Sequence, residues 1–337
     1  MKIKFWGTRG SLPAPLTAGQ VQDKVVQALS AAHGQNLPAD ESALAEWVAR
    51  HLPFSVHGTY GGNTACVQIN TGGSDYILLD AGTGLRDFAQ DYRNQHLHGS
   101  KPSFPVGAHF HLFLSHLHWD HLQGLPFFYP VYAEGQQITI YGAHDKIEEA
   151  VRAQFSTPYF PVPYEYLKAK IAYRQLTPGQ DYEIAHTQVR LIEQNHPGAS
   201  YGYRCECEGK VLVYSTDCEH KQAEATAVDY PILDFFADAD VLIFDAMYSL
   251  EEAIYSKADW GHSSNVIGVE LAARARVRRL VLFHHDPHNT DAQLEETLFN
   301  TRMYAELYRQ EAGRHLNISG KFPTEVLTAY DGMELEV

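Results

Sequence analysis

The six residues His116-Leu-His-Trp-Asp-His121 carry four side chains able to ligate a metal. Imidazole together with carboxylate suits zinc, with manganese or iron as alternatives. The segment directly follows the apolar run Phe110–Ser115, which reads as a strand. Just beyond a strand, His116 and His118 point the same way, and a turn then lets Asp120 and His121 face an adjacent position. Four such groups are costly to bury as mere core. Trp119 and Leu122 interrupt any solvated face, so a chance surface cluster is disfavoured. Four groups do not complete two metal sites. His196 in Asn195-His196-Pro197-Gly198, Asp217 in Ser215-Thr216-Asp217, and His284-His285 after Leu280–Phe283 supply further candidates. Each alone reads as an ordinary loop residue. Their shared placement beyond β-strands makes them candidates as a group.

The elements that must position these groups are legible in outline. The chain has 337 residues, 45% hydrophobic and 20% charged, which is enough to bury a large core and excludes wholesale disorder or a fibre. Strands are predicted at Lys2–Trp6, Ala65–Asn70, Tyr76–Asp80, Phe110–Ser115, Ile138–Tyr141, Val189–Glu193, Tyr201–Cys205, Lys210–Tyr214, Val241–Phe244, Leu280–Phe283, Val326–Tyr330 and Glu334–Val337. Helices are predicted from about Leu85, and over His144–Gln154, Ser263–Arg274 and Ala292–Tyr308. Thr17-x-x-Gln20 reads as a capping box before Val21, Val25 and Leu29, and a second helix covers Glu41–Arg50. Residues 14–56 therefore form a helical insertion between β-rich stretches, in a chain expected to be one domain. The Pro- and aromatic-rich stretch 156–166 reads as a flap. Strand-rich halves punctuated by helices suggest an α/β class with two packed sheets and helices outside.

The net charge of −15 opposes duplex or tRNA binding, which needs a positive surface. No apolar run reaches membrane length, and no secretory signal is visible at the N-terminus. Four cysteines without a disulfide framework fit reduced thiols in a cytoplasmic protein.

From the opening KIKFWGTRGS and Leu79-Asp80-Ala-Gly-Thr-Gly to the terminal strands, the sequence resembles the metallo-β-lactamase superfamily. Within it, the similarity is to the phosphodiesterase branch that includes RNase Z and the phosphoribosyl cyclic phosphodiesterases. The resemblance implies an αββα sandwich with the site at one edge and two divalent metals, zinc first. It assigns His116, His118 and His196 to one metal and Asp120, His121 and His284 to the other, with Asp217 bridging. His284 is chosen over His285 because the family places its last ligand directly after the apolar strand, and neighbours on a strand point oppositely. Phe244-Asp245-Ala-Met-Tyr248 and Gly261-His262-Ser-Ser264 resemble the acid- and His-bearing motifs of RNase Z-like enzymes, with Asp245 one methylene shorter than the usual Glu. The catalytic candidates are thus Asp120, Asp245 and His262. Asp80 is expected to fix a turn.

The chemistry so implied is hydrolysis by a metal-bridging hydroxide, with His262 protonating a departing alkoxide and Asp245 setting its tautomer. The separate acid favours a phosphodiester. Alternatives are an RNase Z-type endonuclease, a glyoxalase II-like thioesterase, a lactonase, or a non-enzymatic metal-binding sensor. The basic, Gly-rich tRNA-binding arm typical of RNase Z has no match in the two insertions. A small anionic cyclic phosphodiester, with 3′,5′-cyclic nucleotides first, is the expected substrate, and no stable nucleic-acid partner is expected. Arg9, Tyr159, Tyr248 and His285 are the candidate substrate contacts. The flap aromatics Tyr159, Phe160, Tyr164 and Tyr166 are read as stacking a base, meeting a second copy of the chain, or packing as core.

Overall fold

The structure, a computed structural model, describes residues 1–98, 101–102, 104–315 and 322–337. Two seven-stranded mixed sheets face one another. The first runs, edge to edge, through Glu334–Glu336, Lys2–Gly7, Cys66–Asn70, Tyr76–Leu79, His109–Phe113, Gln137–Gly142 and Lys170–Gln175. The second runs through Glu325–Thr328, Arg279–Phe283, Val241–Asp245, Lys210–Ser215, Ser200–Cys207, Thr187–Gln194 and Asp181–Ile184.

Alternation along the strands builds the layers. Ile3, Phe5, Leu79 and Phe113 of the first sheet meet Leu191, Leu212, Ile243 and Phe283 of the second in a shared core. The opposite face of the first sheet, with Leu78, Phe110 and Leu112, packs under Leu85, Phe88 and Tyr92 of the helix Gly84–Gln95. The outer face of the second, with Leu242, Phe244 and Leu280, packs under the helices Asn265–Arg274 and Asp291–His315. The result is the α/β four-layer order αββα.

The parallel strands set where the chemistry lies. Tyr76–Leu79 and His109–Phe113 are parallel neighbours, as are Lys210–Ser215, Val241–Asp245 and Arg279–Phe283. Thr187–Gln194 is antiparallel to Ser200–Cys207, which is antiparallel to Lys210–Ser215, so the first and last share a direction. Asp80, His116, His196, Asp217, Asp245 and His284 therefore all emerge at carboxyl ends of strands, on one edge of the sandwich. This is where an α/β sheet leaves an opening for a ligand.

The capping box is present: Thr17 and Gln20 exchange hydrogen bonds at the start of the helix Ala18–Ala32. Its apolar stripe does not join the core. Val21, Val25 and Leu29 are all exposed, and no residue of the helix is buried. Polar contacts hold it instead, with Lys24 Nζ reaching the carbonyls of Ser55 and Gly58 and pairing with Asp291 at 2.7 Å. The second predicted helix is observed as Glu41–His51.

The 156–166 stretch is less of a flap than expected. Phe160 packs edge-on against Phe127 and Phe155, and Tyr164 packs on Phe155 while its hydroxyl meets that of Tyr173 at 2.9 Å. Burying those two rings ties the segment to the outer face of the first sheet. The strands Lys170–Gln175 and Asp181–Ile184 were not predicted. Both are edge strands without a clean apolar alternation.

Candidate metal centre and its acid pair

The turn after Phe113 brings His116, His118 and His196 together, and a separate set forms from Asp120, His121, Asp217 and His284. Within each set, one ligating atom per residue lies within 4.8 Å of the others. Asp217 stands between the two. Its Oδ1 is 3.2 Å from His121 Nε2 and 3.3 Å from His284 Nε2, while its Oδ2 is 3.6 Å from His116 Nε2 and 3.9 Å from His196 Nε2. A left-handed backbone at Asp217 (φ 49°) and at His284 (φ 58°) turns each side chain off its strand end into this space.

The donor atoms fit divalent cations. His121 Nε2 and His284 Nε2 sit 3.3 Å apart, and His118 Nδ1 and His196 Nε2 sit 3.2 Å apart. His116 Nε2 is buried without a hydrogen-bond partner. Such crowding of basic nitrogens around carboxylates is costly unless a cation satisfies them. Asp217 and Asp120 are both held far below the ordinary carboxylate range. Burial opposes this, but the imidazoles around them, His284 and His121 for Asp217 and His121 for Asp120, outweigh it. Burial pushes His116 well down, so its ring is neutral and free to ligate.

Backbone and buried carboxyl groups aim these rings. His196 Nδ1 donates to the Gly261 carbonyl at 2.9 Å, leaving Nε2 unprotonated toward Asp217. Ser11 N–H donates to Asp120 Oδ2 at 2.8 Å. Gly10 lies so close to His284 that a Cβ there would fall 2.5 Å from the imidazole. The GTRGS turn thus acts through its backbone.

Asp80 does more than fix a turn. Fully buried, it accepts from Ser115 N at 2.7 Å, from the hydroxyls of Ser115 and Tyr214 at 2.8 Å each, and from His121 Nδ1 at 2.7 Å. Asp80→Asn tests this role. The two hydroxyls can rotate to accept from an amide, but the His121 ring cannot. Its proton would move to Nε2, the nitrogen that faces Asp120 and Asp217. The expected result is a folded protein with about 10–100-fold weaker metal retention or activity, as is typical when a buried partner of a metal ligand is lost. Elemental analysis and turnover of the purified variant check it; unchanged values would return Asp80 to a purely structural role.

Beside the two sets lies the acid pair. His262 Nδ1 is 2.7 Å from Asp245 Oδ2, so the shorter Asp makes the contact that a Glu was expected to make. Asp245 also accepts from Met247 N and Cys218 N. The His262 ring stacks on His284 with centroids 5.0 Å apart and meets His196 edge-on at 5.2 Å. Burial disfavours the charged ring, but the Asp245 carboxylate raises its pKa to about 9. Cations held by the neighbouring sets act in the opposite direction, toward neutrality. Buried Glu219 accepts from Asp259 N and Gly261 N, and Ser263 Oγ donates to the Cys218 carbonyl, which pins the His262 loop. Ser264 caps the helix that follows.

The four proposed substrate contacts fare differently. Arg9 is corrected: it is buried, donating to the carbonyls of Gly61, Asp286 and Asn289, so it is not available to a phosphate. His285 is corrected as well: it is buried and bonded to the Ala329 carbonyl, on the opposite side of the strand end from His284. Tyr159 is exposed in the 156–166 segment and has no described contact with the site. Tyr248 does reach it, edge-on to His262 at 5.4 Å with Lys257 Nζ over its ring. Trp119, read from the sequence as interrupting any solvated face, is instead exposed beside His118, and Trp260, which sequence reasoning missed, is exposed beside Gly261. The four cysteines are free and buried; Cys218 Sγ meets His220 Nδ1 at 3.9 Å and belongs to neither donor set.

A family model described as a beta-lactamase superfamily domain matches residues 75–285. The chain belongs to that superfamily. The matched span contains all seven candidate ligands as well as Asp80, Asp245 and His262. Ribonuclease BN of Escherichia coli O1:K1 is 26% identical over 296 residues, covering 72% of this chain and 92% of its own. Ribonuclease Z of Methanosarcina mazei is 24% identical over 327 residues, covering 82% and 92%. The crystal structure of the metallo-beta-lactamase fold protein YhfI from Bacillus subtilis has a TM-score of 0.60 at 16% identity, covering 100% of this chain and 98% of that one. This superfamily member therefore shares the sandwich fold of metal-dependent hydrolases with RNase Z-like relatives. Among its described residues no helix is long and apolar enough to cross a membrane.

Proposed function

We propose that the protein is a dinuclear metal-dependent phosphodiesterase acting on a small cyclic phosphodiester. The observation that carries this reading is the His262–Asp245 contact at 2.7 Å beside both donor sets. An alkoxide is a poor leaving group and needs a proton, whereas a thiolate does not, so a positioned acid favours phosphodiester over thioester hydrolysis.

His116, His118 and His196 would hold one divalent cation, and Asp120, His121 and His284 the other, with Asp217 facing both; zinc suits this set, with manganese or iron as alternatives. Bound there, such ions supply charge stabilisation and an activated water at neutral pH. The chain does the rest. Asp217 fixes the spacing of the two sets. Asp80 and the Gly261 carbonyl fix the tautomers of His121 and His196. His262, held as the charged ring by Asp245, gives its Nε2 proton to the departing oxygen and is left neutral with Nδ1–H still donated to Asp245. His118 and Trp119 are exposed, so substrate approaches from that side, where Trp119 and Trp260 offer aromatic faces to a base while the buried Tyr248 ring backs His262.

The net charge of −15 supports a small substrate over a long polyanion. The 156–166 segment gives this reading no support, because Phe160 and Tyr164 pack on the outer face of the first sheet and Tyr159 and Tyr166 are exposed without a described contact to the site. The ribonuclease names of the relatives support an RNase Z-type endonuclease as the second reading. Steady-state kinetics on cAMP, cGMP, a 2′,3′-cyclic nucleotide and a pre-tRNA separate the two. The cyclic nucleotides are expected to turn over, 3′,5′ first, with the pre-tRNA inert. Efficient trailer removal with inert cyclic nucleotides would establish the second reading.

A further inference from the structure

Asp75, His109 and His111 form another cluster of metal-ligating groups, remote from the centre above. It lies at the opposite end of the first sheet. His109 precedes His116 by seven positions along the strand, roughly 20 Å at the rise of extended chain. The parallel register pairs Tyr76 with Phe110 and Ile77 with His111, which sets Asp75 beside His109. Alternation places Asp75, His109 and His111 on the face of Ile77, Leu79 and Phe113, the face that meets the second sheet.

The two imidazole centroids are 3.9 Å apart, and one nitrogen of each ring lies within 4.8 Å of the other and of an Asp75 oxygen. Both rings are anchored by hydroxyls: His109 Nε2 is 2.8 Å from Thr139 Oγ1, and His111 Nδ1 is 2.9 Å from the Tyr141 hydroxyl. His111 is only 5% exposed, and its Nε2 is buried without a hydrogen-bond partner. That nitrogen is 3.7 Å from Asp75 Oδ2. The separation is too long for a hydrogen bond. It is close to the ~3.4 Å that separates two tetrahedral ligands each about 2.1 Å from one ion.

We propose that Asp75, His109 and His111 form a second, independent binding site for a borderline divalent cation such as Zn²⁺. Two imidazoles and one carboxylate hold the ion, and solvent completes its coordination, since Asp75 is only partly buried. With Nδ1–H donated to the Tyr141 oxygen, His111 Nε2 presents its lone pair. Arg174 is the neighbouring cation. It is exposed, so water screens its charge. The ion would clip the turn before Tyr76–Leu79 to the start of His109–Phe113.

Metal-stripped full-length protein is titrated with Zn²⁺, and bound ion is counted by elemental analysis after gel filtration. The unmodified protein is expected to hold one equivalent more than His109→Ala or Asp75→Asn, with the extra ion bound at least ~10-fold more weakly in either variant. Hydrolysis by both variants should be unchanged. Asp217→Ala should keep the extra equivalent, which separates this site from the main centre. Equal metal content in the unmodified protein and both variants would overturn the proposal and leave Asp75, His109 and His111 a plain polar cluster. His111→Ala is avoided, because its buried ring packs against Tyr141.

Discussion

Replacing Asp217 with alanine is expected to abolish turnover, with a loss well beyond the ~100-fold upper range of indirect ligand effects. Its two oxygens face different donor sets, so no other residue substitutes for it. The variant should remain folded, because removing this carboxylate relieves a buried charge at a strand end rather than core packing. Elemental analysis should find the main centre holding fewer than two equivalents, with any ion at Asp75, His109 and His111 counted separately through the His109→Ala background. Cys218→Ala next door should behave like the unmodified protein, since the thiol is turned toward His220. If the cysteine change strips metal and the aspartate change does not, the assignment of Asp217 is wrong.

His262→Ala should divide substrates by leaving group. General-acid help is worth about 10²–10⁴-fold when the departing oxygen is basic. A p-nitrophenolate ester needs almost none of it. A large loss on cyclic nucleotides with a small loss on the activated ester is expected. Asp245→Asn should reproduce the pattern more weakly, because the ring stays in place while its tautomer is no longer enforced. Equal losses on both substrate types would leave His262 a positioning residue only.

The fold and the grouping of the candidate donors were largely legible because both depend on local pattern. Apolar alternation marked the central strands, and the His-x-His-x-Asp-His run directly after one of them marked the site. What escaped depends on approach from afar. Nothing in the sequence tells that Asp80 meets His121 and Tyr214, or that Glu219 ties down the residues before His262. Arg9 was misread because a basic residue between glycines suggests an anion site, while in the fold it serves neighbouring carbonyls. His109 and His111 drew no notice because the strand around them was read only as an apolar run. The stripe Val21, Val25, Leu29 shows the limit of periodicity, which predicted the helix but not its exposure.

The first strand, Lys2–Gly7, lies between Cys66–Asn70 and the terminal strand Glu334–Glu336, and Gly10 N–H donates to the His285 carbonyl. The residues that follow the first strand therefore meet those around His284 at the site's border, while Glu334–Glu336 pairs with the same strand at its far end. During synthesis, residues 1–11 emerge long before their partners at 284–285 and 334–336 exist. Closure over such a separation is slow compared with the local pairings that precede it. The set containing His116, His118, His196 and Asp217 can assemble on a nascent chain, but the set needing His284 waits until Arg279–Phe283 has been made. The centre is thus expected to mature in two stages, with competence arriving only as that strand docks beside Val241–Asp245.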